Sequence, residues 1–183
     1  MKFNISQEDR SLSELLRISS YIISDICEKS FLKDATSIPL SDNQFYILRI
    51  LNNTSPFNLS DLANILSVSN AAIGKNIDKL VQYKLVRRRY RKNDRRTANV
   101  SITSEGTKIV KKFNDLKLNK QVNIFKNFTI EEKKEFLVYL RKFISNTLHK
   151  DVDMEILCLQ CDGACGDDCV VIEKNGPCIR EHK

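Results

Sequence analysis

The most reactive side chains crowd the C-terminal end. Five of the six cysteines, Cys158, Cys161, Cys165, Cys169 and Cys178, fall in the last 26 residues with the spacing C-x2-C-x3-C-x3-C-x8-C. Thiolates are soft ligands, and the interleaved Gly163, Gly166 and Gly176 let a backbone wrap tightly around a small centre. Three chemistries fit. An iron–sulfur cluster, for example of the 4Fe-4S type, takes about four thiolates from a short segment, and Pro177 before Cys178 echoes the Cys-Pro adjacency of some ferredoxin runs. Structural zinc also takes four thiolates, but it favours paired C-x2-C knuckles, and only Cys158–Cys161 forms one. Thiol switching through a disulfide is the third reading. The clustering argues for a metal centre more firmly than the spacing argues for which metal: iron–sulfur comes first and zinc is the alternative. Cys27 stands apart and reads as a small core residue, and His149 and His182 as solvated side chains.

A second chemical signal is charge. The chain carries 30 Lys and Arg against 23 Asp and Glu, a net charge of +7. The distribution is uneven. Residues 151–183 hold 8 acids and 3 bases, which leaves +12 on the first 150 residues. Lys84 to Arg96 alone has 8 bases and one acid. Such a field attracts a polyanion and steers its approach.

Helical periodicity supplies the elements that would carry these groups. A first helix over Glu8–Lys33 has the apolar stripe Leu12, Leu15, Leu16, Ile22, Ile23 and Ile26. A second starts at Ser41 or Asp42 and buries Phe45, Leu48 and Leu51. A third is capped by Asn58, with Asp61 completing a capping box, and buries Leu59, Leu62, Ala63 and Leu66. After the tight turn Ser67-Val68, Ser69 caps a fourth helix to about Tyr83, with Ile73, Ile77, Leu80 and Val81 inward and Ala71, Lys75, Asp78, Lys79 and Gln82 outward. Helix, short turn and helix make a helix-turn-helix pattern. A basic strand follows, then a turn over Asn93–Thr97 and the alternating strand Ala98–Ile102. A fifth helix, capped by Thr103 or Ser104, reaches about Lys126. A sixth opens with a Thr129/Glu132 capping box and buries Phe136, Leu137, Leu140, Phe143, Ile144 and Leu148.

This layout over residues 8–150 resembles the MarR family of winged-helix transcription regulators. The most specific residues are Lys84-Leu85-Val86-Arg87-Arg88, Asn93-Asp94-Arg95-Arg96-Thr97 and Ile102-Thr103-Ser104-Glu105-Gly106. Lys84 stands where the family often has Gly, while Asp94 and Arg96 match its wing pair. The resemblance implies a mainly α fold with a small β-hairpin wing. It also implies a homodimer built on interleaved first and last helices. The fourth helix would then read the major groove of double-stranded DNA, and the wing would touch the minor groove. Ser69, Asn70, Ala71, Ala72, Lys75 and Lys79 are the helix residues expected against DNA, and Arg95 and Arg96 the wing contacts. Asp94 is expected to orient Arg96, since a carboxylate facing phosphate is repelled. The family also often holds a small phenolic effector between the dimer helices and the reading lobe; no residue pattern singles out that pocket.

The expected organisation is 1–40 as a dimerisation helix and connection, 41–102 as the DNA-binding lobe, 103–150 as further dimerisation helices, and 151–183 as the cysteine tail. The tail lies outside the family pattern. With it, the expected function is a DNA-binding regulator, by preference a repressor, that senses redox state, oxygen or iron. No run approaches the roughly 18–20 apolar residues that span a bilayer, and Met1–Arg10 lacks a signal-peptide core. A cytoplasmic protein without membrane partners is expected. The chain has no P-loop, Rossmann fingerprint, His-Glu-x-x-His or Gly-x-Ser-x-Gly, so an enzyme is not expected. The rival from another class is an electron-transfer or metal-binding protein, which would leave the positive body without a purpose.

Overall fold

The computed structural model describes residues 5–54, 56–91, 94–148, 157 and 169–170; the side chains of Ile26, Thr54, Tyr90, Arg91 and residues 94–98 are left aside. The fold is mostly helical with a small antiparallel sheet, as expected. The first expected helix is one continuous rod wound in three ways: α1 (Gln7–Tyr21), a π-helical segment (Ile22–Glu28) and α2 (Lys29–Ala35). A π segment offsets the apolar stripe on either side of it. Ser6 and Asp9 close a capping box at its start.

Helix α3 (Asp42–Thr54) opens on a second reciprocal cap. The Gln44 N–H donates to Ser41 Oγ at 3.3 Å, and the Ser41 N–H donates to Gln44 Oε1 at 3.1 Å. Ile47, Leu48, Ile50 and Leu51 are all fully buried, so α3 is covered over more than the single stripe expected. Strand β3 (Asp94–Ile102), helix α5 (Asn70–Gln82) and helix α6 (Ser104–Phe125) all pack against it. The short α4 (Leu59–Ile65) is capped by Asn58, whose side chain accepts from the Ser60 N–H; Leu62 and Ala63 are buried, while Leu59 and Leu66 are half-buried at the core edge. The reciprocal bond expected from Asp61 is not among the described cap contacts.

Helix α5 (Asn70–Gln82) is the expected fourth helix. Ile73, Ile77 and Leu80 are buried, but Val81 is 39% exposed, a correction to the sequence reading. The three buried residues repeat at i, i+4 and i+7, and Val81 sits at the rim of that stripe, beside a shallow depression shared with Val86 and Thr103. The sheet has three strands in the order β1-β3-β2: β1 (Phe57–Asn58), β2 (Val86–Arg91) and β3 (Asp94–Ile102). Strand β1 was not expected. It pairs Phe57 with Val100 and Asn58 with Asn99.

The turn expected over Asn93–Thr97 is also corrected, because β3 already begins at Asp94. The register jumps from Tyr90↔Ala98 to Arg91↔Asp94, so the β3 side carries three more residues than the β2 side. The chain therefore changes course through a bulge.

Helices α6 (Ser104–Phe125) and α7 (Ile130–Thr147) follow with the expected Thr103 cap and Thr129/Glu132 box. The N-terminal half of α6 joins the core through Ile109, Val110 and Phe113. Phe113 packs on Phe45 (centroids 4.5 Å apart) and edge-on to Phe31 (6.0 Å), tying α2, α3 and α6 together. Helix α7 has no residue buried by the single chain, and Phe136, Leu137, Leu140 and Phe143 of its expected apolar stripe are 40–56% exposed. Ile144 and Leu148 are half-buried. Helix α1 likewise buries nothing, with Leu12, Leu15 and Leu16 all exposed. Among the described residues no helix is long and apolar enough to cross a membrane.

Candidate nucleic-acid interface

The turn into α5 is built from a helix end. The Val68 N–H donates to the Ala63 carbonyl, and the Ser67 N–H to the Asn64 carbonyl, both at 3.0 Å, with Ser67 left-handed at φ 51°. This double bond pattern stops α4 and turns the chain within two residues. Ser69 then caps α5, its Oγ accepting from the Ala72 N–H at 3.2 Å. The expected capping role of Ser69 is therefore real, and its side chain stays exposed.

Of the residues expected to face DNA, Ser69, Asn70, Ala71, Lys75 and Lys79 are exposed, and Ala72 is half-buried. Asn76, beside Ala72, turns back to donate to the Ala72 carbonyl at 3.1 Å. The first turn of α5 holds no acid, so its N-terminal N–H groups and the positive end of its dipole meet no competing side-chain charge from that turn.

The far end of α5 repeats the same stop. The Leu85 N–H donates to the Leu80 carbonyl and the Lys84 N–H to the Val81 carbonyl, both at 2.9 Å, with Lys84 at φ 61°. That left-handed geometry accounts for the glycine common at this place in the family the sequence resembles, and a lysine holds it at a steric cost. The Thr103 hydroxyl then donates to the Lys84 and Leu85 carbonyls, at 2.8 and 3.0 Å, and also accepts from the Gly106 N–H. A Cβ at Gly106 would come within 2.5 Å of the Leu85 carbonyl oxygen. Only glycine lets α6 lie this close to the start of β2. Thr103 and Gly106 thus fix the start of α6 against the turn that joins α5 to β2.

On β2, Arg87 and Arg89 are exposed, whereas Arg88 is half-buried and its Nη1 lies 3.0 Å from Asp78 Oδ1 on α5. The sequence reading missed this pairing. Asp94, Arg95 and Arg96 are placed by backbone only: Asp94 pairs with Arg91, and Arg95 and Arg96 follow it within the bulge. Their side chains lie outside what is described. So do Cys158, Cys161, Cys165, Cys178, His149 and His182; Cys169 is described and half-buried. Cys27, expected in the core, is half-buried within the π segment.

A cleft of about 550 Å³ is lined by the π segment, α2, α3, the end of α4 and Phe113 of α6. Asp25, Glu28, Lys29, Asp42 and Arg49 line it together with Phe45, Tyr46 and Phe113. The Lys29 ammonium donates to Asp25 at 2.6 Å and Ser24 adds a second bond, and together they hold the Asp25 carboxyl below its ordinary value.

This architecture, a helix-turn-helix backed by a three-stranded sheet with a basic hairpin, is a winged helix. Residues 40–98 match the model of the MarR family. The chain is similar to a Bacillus subtilis protein described as the uncharacterized HTH-type transcriptional regulator YpoP, 40% identical over 78 residues, which is 43% of this chain and 55% of that protein. The match thus spans about half the length of that relative. Among solved structures, RV1404 from Mycobacterium tuberculosis shares the fold at a TM-score of 0.68 and 22% identity, covering 81% of this chain and 100% of that one. A MepR variant from S. aureus, solved bound to an oligodeoxyribonucleotide, aligns at 0.60 and 20%, covering 75% and 98%.

Proposed function

We propose that this chain is a homodimeric, sequence-specific DNA-binding transcriptional regulator acting as a repressor. The observation that carries the reading is the exposed, acid-free start of α5 together with the basic strand β2, which the Arg88–Asp78 ion pair joins to the second half of that helix. Ser69, Asn70, Ala71, Lys75 and Lys79 would meet the major groove, Arg95 and Arg96 the backbone or minor groove, and Asp94 would orient Arg96. A regulator of this fold has been solved with an oligodeoxyribonucleotide, which supports the reading. Dimerisation is supported by the apolar residues left exposed on α1 and α7, since a monomer rarely shows more than a few hundred Å² of contiguous apolar surface. A two-fold pair would present its reading helices about 34 Å apart.

The cleft beside the π segment suits a small amphipathic effector, because charged and aromatic side chains share its walls. The tail would hold a metal centre that reports redox state, oxygen or iron to the dimer helices. Its donor set, five thiols within Cys158–Cys178, suits an iron–sulfur cluster first and zinc second. Such a centre can shift DNA affinity only through a difference in its affinity for two arrangements of the dimer.

Fluorescence anisotropy with labelled duplexes against salt tests the main reading. Binding should weaken steeply as salt rises, and losing one phosphate contact, as in Arg96→Ala, should lower the log–log slope by roughly one. A chain that ignores duplex DNA in dilute buffer would overturn it. Anaerobic purification with an absorption spectrum and metal analysis tests the tail. Operator affinity equal for the loaded chain and Cys161→Ser would reduce the tail to a structural element.

A further inference from the structure

The run from Lys84 to Arg96 reads as a row of phosphate contacts, but one of its members faces elsewhere. Along β2, Arg87 and Arg89 are exposed, and Arg88 between them turns to the other side of the strand with the buried Val86. Its side chain is 22% exposed, and its Nη1 lies 3.0 Å from Asp78 Oδ1. Its Nε is buried with no partner among the described residues. This guanidinium is committed to the protein side of the interface.

Asp78 is the only acid in α5. It falls in line with Ala71, Lys75 and Gln82 at i, i+4, i+7 and i+11, a stripe whose members are all exposed. The Asp78 side chain is itself 66% exposed. On the reading proposed above, Ala71 and Lys75 of that stripe meet DNA, and Asp78 continues the same face one turn further along. A bare carboxylate there would repel phosphate, and like charges brought together at an interface are costly.

We infer that Arg88 is a positioning residue that masks Asp78 and holds the wing strand against the reading helix, and that it makes no phosphate contact of its own. The inference rests on the DNA-binding reading and adds to it a division of labour among the arginines. An ion pair with one partner this exposed adds little to folding stability. Its effect therefore belongs to DNA binding.

A double-mutant cycle separates masking from contact. The full chain, Arg88→Gln, Asp78→Asn, the double variant and Arg88→Lys are titrated across a salt series. Two duplexes are used: one selected from a random library by the unaltered chain, and one of unrelated sequence. Arg88→Gln should lose affinity about tenfold on both duplexes in dilute buffer, through the exposed carboxylate, and the loss should shrink as salt screens that charge. Adding Asp78→Asn should restore binding to within about threefold of Asp78→Asn alone, and Arg88→Lys should keep most of it. A double variant as weak as Arg88→Gln, with the slope lowered by about one, would mean that Arg88 touches phosphate and would overturn the inference. So would an Arg88→Gln variant that binds like the unaltered chain. Thermal unfolding of each variant checks the fold. Should Arg88→Gln fail to fold, Asp78→Asn decides alone: a tenfold loss on the unrelated duplex would contradict a mask. If the unaltered chain bound neither duplex, the functional reading itself would fall and this inference with it.

Discussion

Ile77 of α5 and Leu137 of α7 are both aliphatic residues on the apolar stripe of an amphipathic helix, yet one is fully buried and the other is 56% exposed. The same contrast divides the whole molecule. The winged lobe completes its core within one chain: Leu48, Leu51, Leu62, Ile73, Leu80 and Val100 are all at 0% exposure. The terminal helices α1 and α7 bury nothing, and Leu118 and Val122 in the distal half of α6 are 60% and 61% exposed. Full burial of such a side chain is worth about 1.5–3 kcal/mol relative to exposure. On the proposed dimer, the stripe left open along these three helices is the surface that another copy would complete. The lobe's stability should be a property of the chain, and that of the terminal helices a property of chain concentration.

The largest expected effect breaks the contrast at the terminal helices. Leu137→Glu with Leu140→Glu should convert dimer to monomer by light scattering and lower duplex affinity by roughly 100-fold, since two linked reading heads bind far more tightly than one. The lobe should keep its fold. On the other side, Ile77→Ala should cost about 2–5 kcal/mol in urea unfolding, as expected for a truncated buried aliphatic. That loss should not depend on protein concentration, whereas any loss from Leu137→Ala should grow on dilution.

Gly106→Ala sharpens the contrast at the junction of lobe and α6. A methyl group set 2.5 Å from the Leu85 carbonyl oxygen forces the helix away from β2. The expected cost is about 1–3 kcal/mol, measurable as a lower melting temperature. Lys84→Gly has the opposite sign. It relieves a left-handed lysine at φ 61°. A gain of about 0.5–1 kcal/mol is expected, the steric relief being partly offset by a more flexible unfolded chain.

The smallest effect is in acid. Hydrogen bonds from Lys29 and Ser24 lower the Asp25 pKa, and bonds from the Ser6 backbone and then its side chain lower that of Asp9. Both folded values lie below the unfolded ones. Their contribution is therefore complete above the ordinary carboxylate range and is lost as pH falls through the lowered values. Asp9 is exposed and the Asp25 side chain is 40% exposed, so a shallow loss of helical circular dichroism should be seen as pH falls below the ordinary carboxylate range, smaller in Asp25→Asn.

Much of this was legible in the residues. Ser69, Thr103 and the Thr129/Glu132 pair mark helix starts because their side chains satisfy backbone donors within one turn, an entirely local matter. The place of Lys84 in the family motif pointed to a glycine-like position, and its positive φ supplies the physical reason. What was hidden depends on distant partners. Strand β1 is two residues long and exists only because β3 passes beside it. The α7 stripe was legible as apolar, but its periodicity cannot say whether the same chain or a second one covers it. In the candidate interface, the exposed face of α5 followed from its period. The Asp78–Arg88 pair, joining residues from two elements, did not.

The central claim is that one chain completes the lobe and two complete the terminal helices. Sedimentation equilibrium of the purified chain at micromolar concentration tests it most directly. The account predicts a mass twice the 21.1 kDa of the single chain, falling to the single-chain value for the Leu137→Glu/Leu140→Glu variant. A well-folded species that stays at the single-chain mass over the whole concentration range would contradict it.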